Sequence, residues 1–133
     1  MNPTEVLEKY AKFAVVGATQ RKNKFGYQIY LTLLNYGKIA FPVNPRYEEI
    51  DGKVCYPSIA DVPEKPDVAV SVIPPQATNK LIDECKESGI KILWLQPGTY
   101  NDDTLRKCTE VGVESVYGAC IMLKLEERGQ IST

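Results

Sequence analysis

Apolar positions along the chain follow two alternating patterns. The continuous runs FAVVG (13–17), KIAFPV (38–43), DVAVSVI (67–73) and KILWLQ (91–96) have the form of strands covered on both faces, and ESVYG (114–118) is a fifth, weaker run. Between the runs, apolar residues recur at helical spacing. Val6, Leu7, Tyr10 and Ala11 do so in a segment from Pro3 through Lys12, where proline suits the first turn. A second helix is expected from about Phe25 to Tyr36, with Ile29, Leu33 and either Leu34 or Tyr36 facing the core and Gly37 placed for a left-handed cap. Pro74-Pro75 cannot extend a strand but opens a third helix, which runs to Ser88 and closes at Gly89. Asn101 is the expected N-cap of a fourth helix, lined by Leu105, Cys108 and Val111 before Gly112, and a final helix runs through about Glu127. From Tyr47 to Pro63 the chain offers only short, turn-rich pieces: a tight reversal at Asp51-Gly52 and a helical turn or two in SIADVP.

Strands separated by helices pair in parallel through right-handed crossovers, which predicts an α/β fold: an open, doubly wound parallel sheet of about five strands in a single domain spanning residues 1–133. Such sheets bind ligands beyond the carboxyl ends of their strands, where the strand order reverses. Candidate residues therefore follow Val16, Val43, Ile73, Leu95 and Tyr117.

The first of these strand ends carries GATQRKNKFG, in which Arg21, Lys22 and Lys24 crowd between Gly17 and Gly26 at the mouth of the expected second helix. Free backbone N–H groups and the positive end of the helix dipole make such a mouth a seat for phosphate, and the alternative is a solvated basic loop. The spacing is not G-x-G-x-x-G, so a dinucleotide fingerprint is missing. After the second strand comes VNPRY. Its nearest acids, Glu48 and Glu49, arrive too late for the ribose-binding carboxylate of an NAD site. Arg46 suits a phosphorylated ribose, as in NADP or coenzyme A, or a simple surface turn, and Tyr47 would support an adenine ring. After the third strand, Pro74 and Pro75 form a stiff apolar wall fit for a ring or an extended arm, besides starting a helix. After the fourth, Gln96 offers an amide to a peptide-like arm while Gly98 keeps the passage open; Trp94, inside the strand, belongs to the core.

Composition narrows these options. At 133 residues the chain can bury roughly two thirds of its unfolded surface, and 44% hydrophobic with 25% charged residues is the balance of a soluble globular protein. No apolar run approaches the ~20 residues that cross a bilayer, and MNPTEVLEKYAKF lacks the apolar stretch of a signal peptide, so the expected compartment is the cytoplasm with no membrane partner. A net charge of -1 and a pI near 5.5 argue against general nucleic-acid binding, which draws on a broad basic face; any anion site is local. The absence of histidine removes the commonest general base and metal ligand at neutral pH. Cys55, Cys85, Cys108 and Cys120 form no C-x-x-C pair and read as small buried hydrophobes. A Cys85–Cys108 disulfide and a mixed disulfide of Cys55 or Cys120 with a thiol ligand remain open.

Taken in order, VVGATQRKNKFG, PVNPRY, GKVCYPSIADVP, WLQPG and the late CIM resemble the small CoA-binding protein family of Rossmann type, related to the CoA-binding domain of the succinyl-CoA synthetase alpha subunit, over nearly the whole chain. The resemblance implies a Rossmann-like fold and binding of coenzyme A or an acyl-CoA. Gly17, Ala18, Thr19, Arg21, Lys24, Phe25 and Gly26 would hold the diphosphate; Val43, Asn44, Pro45, Arg46 and Tyr47 would border the nucleotide; and Ile73, Pro74, Pro75, Gln96 and Gly98 would line the rest of the groove. SVIPPQAT departs from the strand-three ending of the family's commoner members, so the thiol end is the least defined. That synthetase passes phosphate through a histidine on a separate domain, and this chain has no histidine. The favoured expectation is a non-catalytic binding or regulatory module, acting as a homodimer or with a partner enzyme. The alternatives are an acyl-CoA ligase subunit completed by a partner chain and an NADP-binding reductase-like or redox-sensing protein.

Overall fold

The computed structural model describes residues 1–131. Helix α1 spans Pro3–Lys9, opened by Asn2, whose side chain accepts the Glu5 N–H. It leads into strand β1 (Lys12–Val16), helix α2 (Phe25–Asn35) and strand β2 (Ile39–Val43). The short strands β3 (Glu49–Ile50) and β4 (Lys53–Val54) pair antiparallel around Asp51-Gly52, and a single 3-10 turn covers Ile59–Asp61. Then come β5 (Val68–Ser71), α3 (Pro75–Ser88), β6 (Ile92–Leu95), α4 (Asp102–Val111), β7 (Glu114–Val116) and α5 (Ile121–Ile131). The main sheet is parallel throughout, in the order β2-β1-β5-β6-β7. The order reverses at β1, which pairs with β2 on one side and β5 on the other, so a crevice opens above the carboxyl ends of β1 and β5.

Alternation along the strands divides the core into two layers. Phe13, Val15, Val68, Val70 and Trp94 face α1, α2 and α5, where they meet Val6, Leu7, Ile29, Leu33 and Leu125. Ala69, Leu93 and Leu95 face α3 and α4, against Leu81, Ile82, Cys85 and Cys108. Trp94 is fully buried, and its indole N–H donates to the Ala119 carbonyl at 3.2 Å, which ties β6 to the entry of α5. Gly89 and Gly112 close α3 and α4 in the left-handed conformation, at φ 73° and 82°, as their positions foretold.

Several boundaries differ from the sequence expectation. Helix α1 stops at Lys9 rather than Lys12, because Tyr10 turns extended and Lys38 Nζ reaches back to the helix end, where it donates to the Tyr10 carbonyl at 2.7 Å and to that of Leu7. The Lys12 N–H, at the start of β1, donates instead to the Asp67 carboxylate at 3.2 Å. On α2, Leu34 and Tyr36 point outward, 39% and 41% exposed, and Tyr27 and Tyr30 are buried in their place. Tyr27 is held there by the Asp51 carboxylate, 2.6 Å from its hydroxyl, which docks the β3–β4 turn on the helix. The third strand ends at Ser71, whose hydroxyl bonds that of Thr78 on α3 at 2.8 Å, and α5 continues past Glu127 to Ile131.

All four cysteines are free thiols. Burial pushes the Cys85 thiol up to about 12 and raises those of Cys55 and Cys108 as well. Cys120, at the start of α5, is the one left partly exposed. Iodoacetamide at pH 8 is therefore expected to label Cys120 of the native protein well before the other three, with peptide mass mapping as the measurement. Labelling of Cys85 at the same rate would mean that the α3–α4 layer opens readily.

Candidate functional site

The site begins where β1 ends. Gly17 has φ +103°, a conformation other residues rarely adopt, and a Cβ there would lie 2.7 Å from the Val72 carbonyl oxygen. Gly26, in the first turn of α2, lies so near that a Cβ would come within 2.1 Å of the Gly17 carbonyl oxygen. The two glycines let α2 press directly on the strand end, so its N-terminus opens over the crevice. Nothing caps it. Lys24 occupies the N-cap position without a side-chain bond, and its carbonyl accepts the N–H groups of Tyr27 and Gln28. Among the described residues no protein acceptor takes the N–H of Phe25 or Gly26, so both are open to a ligand, with the helix dipole behind them.

A second loop, after β2, holds the first in place. Asn44 is its hub: the side-chain amide donates to the Ala18 carbonyl at 2.8 Å, its oxygen accepts the Arg46 N–H at 2.9 Å, and its own N–H donates to Tyr56 at 2.9 Å. The Thr19 and Tyr47 hydroxyls bond at 2.9 Å, and the Gln20 amide donates to the Glu49 carbonyl at 2.9 Å. Three links thus join the two loops into one rim.

Between this rim and α3 lies a groove of about 860 Å³. Val16, Val43 and Val72 form its floor, and Ile73 stands beside Gly17. Thr19, Arg21, Lys24 and the 64%-exposed Phe25 stand along the loop side with Gly26, while Asn44, Pro45, Arg46 and Tyr47 line the β2 end. The opposite wall consists of Pro57, Ser58 and Ile59 and of α3 residues Ala77, Lys80, Leu81 and Glu84. Among the described residues, Arg21, Lys24, Arg46 and Lys80 pair with no carboxylate, so the groove carries uncompensated positive charge.

Of the residues singled out in the sequence, Ala18 lies buried beneath the loop and contributes its carbonyl to Asn44. Pro74, Pro75, Gln96 and Gly98 are outside the groove lining. Pro74 and Pro75 are the N-cap and first residue of α3, and Gly98 sits in an exposed turn after β6 at φ +87°. The Gln96 amide, expected to face a ligand's arm, is buried and turned to α5: its oxygen accepts the Ile121 N–H at 2.7 Å and its nitrogen donates to Cys120 Sγ at 3.3 Å. The wall made by Pro57–Ile59 and α3 was not foreseen. Its one sequence signal is the spacing of Ala77, Lys80, Leu81 and Glu84, which puts all four on one helical face.

Comparison with known proteins places this geometry among relatives. The profile of a family described as CoA binding domain matches residues 11–126. An ADP-forming acetate–CoA ligase of Methanocaldococcus jannaschii is 38% identical over 78 residues, a stretch covering 59% of this chain and 11% of the ligase. A hypothetical protein from Pyrococcus horikoshii OT3 superposes with a TM-score of 0.88 at 34% identity, covering 94% of this chain and 88% of that one. The dinucleotide-forming acetyl-coenzyme A synthetase 1 of Ca. Korarchaeum cryptofilum, in its apo form, superposes with a TM-score of 0.73 at 32% identity, covering 84% of this chain and 26% of the synthetase. The chain thus spans only a small part of the ligases and synthetases it matches.

Proposed function

Because the chain belongs to the CoA binding domain family, we propose that the groove over β1 and β5 holds coenzyme A, with its diphosphate at the open end of α2. The observation that carries this reading is the uncapped helix mouth, whose Phe25 and Gly26 N–H groups are free and which shares the groove with Arg21 and Lys24. The residues present fit the coenzyme. A groove of about 860 Å³ is within the range that encloses ligands of this size. Its unpaired cations stand on more than one wall, which suits a molecule whose phosphates are separated by a ribose. Phe25 and Gly26 would donate their N–H groups to the diphosphate, Arg21 and Lys24 would neutralise it, and Arg46 would meet the phosphate on the ribose. Ile73 would guide the arm toward the exposed edge at Pro74.

Calorimetry with CoA, NADP and NAD tests the assignment. CoA should bind tighter than NADP by at least about tenfold, the equivalent of one charge-assisted hydrogen bond, with NAD weaker still; equal affinity for NADP would overturn it. The chain acts in this reading as a holder of CoA or acyl-CoA. One observation favours a second role: ligase relatives match this chain over about a tenth of their length, 11% in the M. jannaschii enzyme. The module would then complete an acyl-CoA ligase together with a partner chain, and steady formation of ADP, phosphate and an acyl-CoA from ATP, a carboxylate and CoA only in the presence of that partner would establish it.

A further inference from the structure

We infer that the β3–β4 hairpin braces the basic loop, and that Asp51, which lies outside the groove lining, is a positioning residue for the cations at the mouth of α2. The ligand served is the coenzyme of the reading above, on which this inference rests. Arg21, Lys22 and Lys24 stand on an arc of irregular chain between Gln20 and the start of α2, and none of them forms an ion pair among the described residues. One foot of the arc is Gln20, whose side-chain amide donates to the Glu49 carbonyl at 2.9 Å. The other is the first turn of α2, where the Tyr27 hydroxyl donates to the Asp51 carboxylate at 2.6 Å. Both feet therefore rest on the same hairpin, and its short stretch from Glu49 to Asp51 sets the span between them. Ile50, between the two contacts, is fully buried with Tyr27 and Tyr30 in the core, and the Cys55 N–H donates to the Glu48 carbonyl at 2.9 Å. The brace is thus better anchored than the arc it holds, whose own bonds are local: Lys24 N–H to the Arg21 carbonyl at 3.1 Å and the Gln28 amide to that of Lys22 at 3.4 Å.

The turn alone does not call for a carboxylate. Asp51 and Gly52 are the central pair of a two-residue hairpin, at φ +50° and +79°, and asparagine or glycine at the first position serves such a turn as well. A negative charge also works against a phosphate ligand at any distance. What Asp51 contributes to binding therefore comes through its grip on Tyr27, which fixes the arc before the ligand arrives and so spares the cost of ordering it on binding.

The test compares the wild-type chain with Asp51→Gly, Asp51→Asn and Tyr27→Phe. Trypsin cuts after lysine and arginine, so its rate of cleavage at positions 21–24 of the ligand-free protein reports how firmly the arc is held. Asp51→Gly keeps the turn and loses the grip. It should speed that cleavage and weaken CoA binding roughly three- to tenfold, the cost of ordering about one flexible side chain at a binding site, although it removes a repelling charge. Tyr27→Phe cuts the same contact from the helix side and should reproduce both effects, whereas Asp51→Asn, whose amide oxygen still accepts the hydroxyl, should restore wild-type behaviour. When Arg21 and Lys24 are already alanine, Asp51→Gly should weaken CoA no further, because the side chains it places are gone. A merely loosened fold would lose affinity in both backgrounds. Unchanged cleavage, unchanged affinity, or an equal loss in both backgrounds overturns the role of Asp51 and leaves the coenzyme reading standing. Failure of the wild type to bind CoA overturns the coenzyme reading, and the cleavage rates, measured without ligand, still decide whether Asp51 holds the loop.

Discussion

Gly26→Ala is expected to destabilise the protein by about 3 kcal/mol and to abolish ligand binding, the upper part of the range for forcing a methyl into a packed site. The sign is informative, because glycine to alanine within a helix ordinarily stabilises by about 1 kcal/mol. Here the new methyl would meet the Gly17 carbonyl oxygen at 2.1 Å. That oxygen cannot swing aside. Gly17 is fixed by its own N–H, which donates to the Val43 carbonyl at 2.9 Å, and by the Val72 backbone pressing on its other side. The strain falls on α2, which must lift and draw Ile29, Tyr30 and Leu33 away from the sheet. Urea denaturation followed by circular dichroism measures the loss; an unchanged midpoint would mean that the helix is not seated on the strand end.

Replacing Arg21 and Lys24 together by alanine should weaken CoA binding roughly 100-fold, the product of two charge-assisted hydrogen bonds at about 1.5 kcal/mol each. Stability should hardly move, since both side chains are exposed and neither forms an ion pair among the described residues. The backbone bond from the Lys24 N–H to the Arg21 carbonyl survives both truncations. Titration of the double variant with CoA and with dephospho-CoA distinguishes the contacts. Equal losses for the two ligands place the charges on the diphosphate, whereas a smaller loss for dephospho-CoA moves them to the ribose phosphate. Undiminished binding of both would reduce the basic loop to ordinary surface. Salt should weaken the wild type more steeply than the variant, because fewer ion contacts remain to be screened.

The strands were legible because a parallel sheet covered on both faces demands continuous apolar runs, and FAVVG and KILWLQ can hardly be anything else. The basic loop was legible for a related reason: three cations at a strand-to-helix junction fall where such folds expose backbone donors. What escaped depends on partners distant in the chain. Helix α1 ends where Lys38, 28 residues beyond Tyr10, reaches its last carbonyls. Gln96 turns from the groove because the Ile121 N–H, 25 residues on, leaves that buried amide a better partner than open space. The wall opposite the loop needs SIADVP to fold over α3, and neither segment signals the other. Gly26 was read as a phosphate residue, and its close approach to Gly17 adds a packing demand for glycine that the loop sequence does not reveal.

Every residue lining the groove lies between Val16 and Glu84, so the sheet's strand order also divides the selective burdens on the chain. The stretch from Gly89 onward supplies β6, β7, α4 and α5 and lines no part of this groove. To the extent that recognition rests on this groove, drift should run at two tempos along one polypeptide, slow and chemically strict in the first portion and faster in the second.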